Sequence, residues 1–421
     1  MSQKRSNISG FYKLSYEDRV KVVSEFSGLN GEDVAWLKKG APEMEDVEHM
    51  SENIIGTIGI PFGVATNFLI NGKDYLVPMA TEESSVVAAA SHGAKIARVK
   101  GGFTATTTGS FMMVEIQVVD IDDPEVSKQR VLAEKEELLT MADTRSNTLP
   151  KLGAGAKDLE AEIFEGFYGS MVVFRLVVDV RDAMGANVMN TMAEYIAPKI
   201  AELAGGRVCL RVVDNYAIRR LAKATCVAGK EAIGGEDIID NLLQGYSCAY
   251  FNQHRATGHN KGAMNGITAV VLATGNDTRA MESGFHSYAA RCGRYRALPV
   301  WEKNKDGDLV GTLEMPVQVG IIGGMTKLHP VARTAIKILG VKSADELGQV
   351  LASVGLASKL AAERALAAEG IQDGHMRLHA GNIAMMAGAV GKEVEIIKEK
   401  LCVLKQVNLK TAQDELAKIK G

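Results

Sequence analysis

MMVEIQVVDI, Met112–Ile121, opens the stretch on which the fold turns. It reads as a strand, the first element of a pattern that alternates strands and helices as far as Val213. A helical pattern follows from Pro124 to about Met141, then strands near Leu159–Phe164 and Met171–Val180. A helix near Asn187–Leu203 and a strand at RVCLRVV, Arg207–Val213, complete the series. This order, βαββαβ, is the split arrangement of a ferredoxin-like sheet. Both of its ends lie inside a longer α/β chain, so residues 111–218 read as an inserted small domain. Residues 1–110 and 219–370 then form a large α/β domain around a central helix, and 371–421 a C-terminal helical flap. The expected class is α+β. Glu83–Arg98 (ESSVVAAASHGAKIAR) is Ala-rich with small residues nearly all round, which suits a helix packed centrally and closely. The segment from about Lys392 to Lys420 is Lys/Glu-rich and helical in period, either a lobe that can move or a terminal helix docked on the body.

The totals narrow the function. With 421 residues and 46% apolar composition, the chain can bury one large core or two to three domains. A net charge of -3 and no basic run disfavour nucleic acid and acidic membrane as partners. Five cysteines, Cys209, Cys226, Cys248, Cys292 and Cys402, are odd in number and never in a CxxC spacing, which fits a reducing cytoplasm. The first thirty residues lack the apolar core of a signal sequence, and no segment approaches a membrane span. A cytoplasmic protein with no anchor is expected.

Several residues can carry chemistry. Lys261 in GHNKGAMNGI and Asp277 in VVLATGNDTRA stand sixteen positions apart around ITAVVLAT, Ile267–Thr274, whose β-branched content suggests a buried strand. Turns at its ends could bring the charges together. At about 4 Å and an effective dielectric near 20 the attraction is on the order of 4 kcal/mol, comparable to the desolvation it requires. The plainer alternative is a surface lysine and a capping aspartate that never meet. Glu82 and Glu83 follow the strand-like YLVPMA and precede the Ala-rich helix. They are either capping carboxylates or, in an apolar site, a proton donor with Ser84 and Ser85 beside it.

Asp182 ends a strand and is followed by Met184-Gly185-Ala186, a setting in which backbone N–H groups bind phosphate or a carboxamide, or in which the turn merely caps a helix. GAGAKD, Gly153–Asp158, lacks the third glycine of a Rossmann fingerprint. GIIGGMT, Gly320–Thr326, with Lys327 and His329 behind it, is a tight turn that could admit a phosphate or pantetheine chain. His375 and His379 have a metal-ligand spacing but no third ligand nearby, so no metal is expected. A single histidine acting as an acid suits them better. No GxSxG elbow suggests acyl-enzyme chemistry.

Six blocks together resemble the 3-hydroxy-3-methylglutaryl-coenzyme A (HMG-CoA) reductase family, in order and over nearly the whole chain. They are ENIIGTIGIPFGVATNFLINGKDYLVPMATEESSVVAAAS, RDAMGANVMNTMAE, HRATGHNKGAMNGI, ATGNDTRA, GTLEMPVQVGIIGGMT and GHMRLHAGNIA. The short length and the EES and ATGND forms look like the soluble second class of that family. The resemblance implies reduction of the thioester of HMG-CoA through mevaldehyde to mevalonate and coenzyme A, with two nicotinamides per turnover. By motif, Lys261 would stabilise the oxyanion, Glu83 would donate a proton, Asp277 would bridge the two, and His375 would protonate the leaving thiolate. Arg255 would clamp the substrate carboxylate, with Ser85 and Asn265 as further contacts. Asp182, Met184, Gly185, Asn187 and Asn215 would line the nicotinamide site. The family implies a homodimer with active sites between subunits.

Three positions depart from the family pattern. Ser84 stands where proline is frequent, Thr278 where tryptophan is common, and Gly381 where an arginine usually follows the second histidine. A regulatory serine of the membrane-bound class has no counterpart in HMRLHAGN. Arg145 and Lys151 in ADTRSNTLPKLGAG suit a 2′-phosphate while Asp143 would repel it, so the balance tips only slightly to NADPH over NADH. The direction of reaction stays open. A redox-free coenzyme A thioester hydrolase or lyase is the alternative, with an acyl-coenzyme A sensor behind it. A sensor would be expected to have lost one of Lys261, Glu83, Asp277 or His375.

Overall fold

The structure is a computed structural model that describes residues 4–368, 370–404 and 406–420, with side chains left aside for 371–378. It is a mixed α+β arrangement with two sheets. The strands are β1 (Phe62–Ile70), β2 (Lys73–Ala80), β3 (Phe103–Thr107), β4 (Phe111–Val119), β5 (Gly155–Gly166), β6 (Gly169–Asp179), β7 (Arg207–Val213), β8 (Leu221–Ala228), β9 (Val300–Lys303) and β10 (Leu309–Pro316). A six-stranded sheet runs in the order β2-β1-β3-β8-β10-β9, and a four-stranded sheet in the order β5-β6-β4-β7.

The smaller sheet is antiparallel throughout. Alternation on β4 sends Met112, Val114, Ile116 and Val118 into a core shared with Met189, Met192, Ile196 and Ile200 of the Ala186–Ala204 helix. The opposite face is mixed, with Met113, Val173 and Val177 buried and Arg175 reaching Glu115 at 2.8 Å and Glu162 at 2.6 Å across neighbouring strands. The helical run after β4 is two helices, Pro124–Ala133 and Lys135–Asp143, broken at Glu134. The break lets Val131 and Leu138 face the same core.

Two expectations need correction in the larger layer. Ile267–Thr274 is not a strand: Gln253–Ala273 is one continuous helix, here the lysine helix. Ile267, Val270 and Val271 are fully buried there among surrounding helices, so a run of β-branched residues marks burial and not strand geometry. Nor is the Ala-rich helix the central one. It spans Val86–Arg98, and Ala88, His92 and Lys95 are exposed. The centre is Ala344–Ala367, the spine helix, buried at nearly every position from Ala344 to Ala361.

Small residues allow these helices to touch. A Cβ built on Gly93 would stand 1.9 Å from the carbonyl oxygen of Ala357, and one on Gly266 would stand 2.2 Å from Ser358 Oγ. Only glycine permits such approach. At the C-terminus, helices Ile371–Met386, Lys392–Leu404 and Leu409–Lys420 gather their own core around Ile383, Ala384, Ile397, Leu401 and Leu416. Among the described residues no helix is long and apolar enough to cross a membrane.

Candidate active site

β2 delivers Thr81–Ser85 to the start of the Ala-rich helix, and the lysine helix runs past it. Lys261 Nζ donates to Glu83 Oε2 at 2.8 Å, so these two predicted residues meet directly. Both are partly open to solvent, 60% and 39% exposed, which limits what the pair adds to stability. Glu83 precedes the first helical turn instead of lying in it, and its N–H donates to Thr81 Oγ1 at 3.2 Å. Ser85, the residue before the helix, has φ 74°, a left-handed conformation rare for serine, and its buried Oγ has no hydrogen-bond partner. Strain and an unsatisfied hydroxyl beside a Lys–Glu pair are the marks of a site waiting for a polar ligand. Asn265 lies one turn beyond Lys261 on the same helix and is half-buried.

Beneath this face lies a charged cluster that sequence reasoning missed. Arg255 donates to Glu363 Oε1 at 2.8 Å, and Lys359 Nζ pairs with the same oxygen. Lys359 and Glu363 are each 2% exposed. Burial favours a neutral Glu363, but the close His259 ring and the charge of Lys359 outweigh it and hold the carboxyl down at about 2. Burial pushes the Lys359 ammonium down to about 8 despite Glu363. The signal was present in the sequence: Lys359 and Glu363 stand four apart in a mostly apolar run, LASKLAAERAL.

His259 is fully buried between Pro299 O, 3.0 Å from Nε2, and Glu363 Oε1, 3.2 Å from Nδ1 at a poor hydrogen-bonding angle. Burial pushes it down to about 4 from 6.5. Between those values the unfolded chain binds one more proton than the folded one, so stability falls as pH drops. That gap is worth on the order of 3 kcal/mol. Thermal melts from neutral pH to about 4 should show this loss, and His259→Gln should flatten it over that window. An equal slope in the variant would clear His259 of the acid sensitivity.

A second constellation gathers at the far end of the lysine helix. Asp277 caps the following helix, Thr278–Ala289, accepting from Arg279 N at 2.8 Å and Ala280 N at 3.1 Å, and pairs with the Arg279 guanidinium at 2.9 Å. Neighbouring Asn276 accepts from Gly320 N at 2.8 Å. A Cβ on Gly320 would fall 2.6 Å from Met184 N, so GIIGG packs against the backbone of DAMGAN. Gly185, at φ 99° with Val180 directly beneath, opens the helix that begins at Ala186, and Asn187 is exposed in its first turn. Buried Arg220, also missed from sequence, grips the loop by donating to Ala183 O at 3.0 Å and Arg181 O at 3.3 Å. Asn215 sits close by, its carbonyl accepting from Gln318.

Asp182 has a structural task as well: its Oδ1 accepts from Ala344 N at 2.8 Å, at the start of the spine helix. Arg145 is exposed and stacks on Tyr195, 4.7 Å from the ring centre. Asp143 accepts from Ala156 N at 2.8 Å. The side chain of His375 lies outside the described residues, and His379 is exposed one turn on. No group of acidic, cysteine or histidine side chains suited to a metal occurs among the described residues.

The expected bridge from Asp277 to Lys261 and Glu83 does not form within one chain. Lys261 is mid-helix, and the twelve residues from it to Ala273 rise about 18 Å. Asn276 N donates to Val271 O, which keeps the turn at that far end. No pair of side chains spans that distance. The two halves, Glu83–Lys261–Arg255 and Asp277–DAMGAN, are separate constellations on one molecule.

Comparison with known proteins places the chain among oxidoreductases. A family model described as hydroxymethylglutaryl-coenzyme A reductase matches residues 15–380. The 3-hydroxy-3-methylglutaryl-coenzyme A reductase of Archaeoglobus fulgidus is 50% identical over 99% of this chain and 95% of its own length. Among solved structures, the reductase of Streptococcus pneumoniae superposes with a TM-score of 0.83 at 36% identity, covering 98% of this chain and 99% of that one. A further structure from that organism, of the class II enzyme bound to NADPH in open conformations, gives 0.82 at 36% identity over 97% of this chain and 100% of the other. The chain belongs to the hydroxymethylglutaryl-coenzyme A reductase family. It is an enzyme of that reductase type, using a nicotinamide cofactor.

Proposed function

We propose that the chain carries out the four-electron reductive deacylation of HMG-CoA to mevalonate and coenzyme A, in a homodimer whose active sites are completed between subunits. The observation that carries the assignment of roles is the Lys261–Glu83 pair beside the strained, unsatisfied Ser85. Lys261 offers a fixed positive charge to the oxyanion that develops when hydride reaches the thioester carbon. Glu83, in hydrogen-bond contact with Lys261, is placed to hand a proton to the aldehyde oxygen. Arg255 clamps the free carboxylate of the substrate, and Ser85 and Asn265 take the remaining polar groups.

Hydride transfer needs the reacting atoms about 3–3.5 Å apart, whereas the two halves sit at different places along a 21-residue helix. A two-fold partner resolves this: each Asp277, with its nicotinamide loop, faces the Lys261–Glu83 pair of the other copy. In this arrangement Asp182, Met184, Gly185, Asn187 and Asn215 hold the nicotinamide. His375, on the C-terminal flap, protonates the departing thiolate once the flap closes. By this division 1–110 with 219–370 is the substrate domain, 111–218 an inserted ferredoxin-like cofactor domain, and 371–421 the flap. The nicotinamide supplies hydride when bound; the chain's residues position it and manage charge and protons. Free thiols at all five cysteines fit action in a reducing cytoplasm. Asp143 is committed to the backbone of Ala156 and Arg145 lies open on Tyr195, which supports the lean toward NADPH.

Following nicotinamide absorbance with HMG-CoA, using NADPH and NADH in parallel, tests the proposal. Substrate-dependent oxidation with a lower KM for NADPH is expected. Thioester cleavage without nicotinamide oxidation in a folded dimer would favour the hydrolase reading instead.

A further inference from the structure

The buried cluster under the substrate half has a charge that its surroundings do not cancel. Lys359 and Arg255 are two cations, Glu363 is one anion, and His259 is buried in its neutral form, leaving one net positive charge. Lys359 and Glu363 are enclosed while Arg255 is 29% exposed, so the excess charge lies at the mouth of the cluster, where an anion can meet it. Two glycines give that charge an outlet. Arg255 Nη1 lies 3.6 Å from where a Cβ on Gly258 would be, and Lys359 Nζ lies 3.6 Å from the same point on Gly262. Gly258 is exposed, Gly262 is half-buried, and Lys261 projects between them. Both cationic heads thus lie just under the face of the helix that carries Lys261.

Both cationic donors converge on one oxygen, beside the neutral His259 ring. Arg255 Nη2 and Lys359 Nζ reach Glu363 Oε1, with His259 Nδ1 at 3.2 Å, while Gly245 of the neighbouring helix leaves Oε2 no bulky neighbour from that side. The groups facing the carboxylate are therefore Arg255 and His259 from the lysine helix, Lys359 from the spine helix, and Gly245 from the Glu236–Phe251 helix, where Tyr246 also packs on His259.

We propose that Glu363 is a positioning residue for substrate selection: from inside the protein it holds Arg255 and Lys359 in place and cancels one of their two charges. This leaves a floor with one positive charge, matched to an acyl thioester bearing one free carboxylate. The inference rests on the proposed role of Arg255. Glu363 itself touches no substrate; it acts through the two cations.

The test is steady-state kinetics on the full chain with HMG-CoA and its preferred nicotinamide. Glu363→Gln should raise the KM for HMG-CoA roughly 10- to 100-fold, the worth of a lost charge-assisted contact, while kcat changes less than about threefold. The KM should also become pH-dependent across the neutral range, because Lys359 without its carboxylate partner loses its proton more readily. An unchanged, pH-independent KM in a folded variant would overturn the proposal. Should Glu363→Gln fail to fold, the double variant Lys359→Met with Glu363→Leu removes the pair and fills its space. It should show the raised KM without the pH dependence, and a native KM there would be equally fatal. Arg255→Gln separates the two levels of inference. If it leaves the KM unchanged, the assignment of Arg255 fails; if it raises the KM and Glu363→Gln does not, only the role of Glu363 fails.

Discussion

Replacing Lys261 with alanine should reduce kcat by about 10²- to 10³-fold or more while leaving the melting temperature within about a degree of the parent. The two halves of this expectation have different origins. Reduction of a thioester places negative charge on its oxygen only in the transition state, so a fixed cation there lowers the barrier without holding the ground state more tightly. The stability term is small because Lys261 is 60% exposed and its partner Glu83 39% exposed. Substitution by arginine should not restore the rate, since a planar guanidinium does not put its charge where the compact ammonium sat. Nicotinamide oxidation rates together with a thermal melt are the measurements needed. Retention of most of the activity would remove Lys261 from the chemistry.

Gly93→Ala is expected to destabilise by about 3 kcal/mol or more, a sign opposite to the usual gain from alanine in a helix. The new methyl would stand 1.9 Å from Ala357 O and 2.6 Å from its carbonyl carbon. Those are backbone atoms of the spine helix, buried on all sides, and cannot rotate aside. Relief requires the Ala-rich helix to move off the spine, which carries Glu83 and Ser85 with it. Ala88→Gly, on the exposed face of the same helix, should cost about 1 kcal/mol and leave activity intact. Denaturant melts of the two variants settle the order: if Gly93→Ala unfolds no earlier than Ala88→Gly, the close approach does not exist as described.

How much of this could be read in advance depended on which signal carried it. The strands of the small sheet were legible because short apolar runs of strand length, such as β4 and β6, alternate with helical segments along the chain. The lysine helix was misread because Ile267–Ala273 is enclosed on nearly every side, and burial all round erases the helical period. Glu83, Lys261 and Ser85 were located from their motif blocks, and the structure brings the first two into contact. The approach of Asp277 to Lys261 within one chain was misjudged, since sixteen residues of strand with turns can fold back where a rigid helix cannot. The Lys359–Glu363–His259 cluster drew no attention, because its members lie on two helices far apart in sequence and only packing joins them. Asp182 was read as part of a ligand-binding or capping turn, and its bond to Ala344 N depends on a helix start 162 residues away.

If the proposed two-fold pair forms, the placement of Lys261 within a stiff helix and of Asp277 just past its end has a consequence in the language of genetics. Consider two null alleles, one lacking the lysine and the other the aspartate, expressed in one cell. In a mixed two-fold pair, one active site collects both lesions and the other collects neither. The intact site works at full rate, so such a heterodimer has half the capacity of the wild type although both parents have almost none. Two broken copies of the gene would then sustain growth where two copies of either one would not.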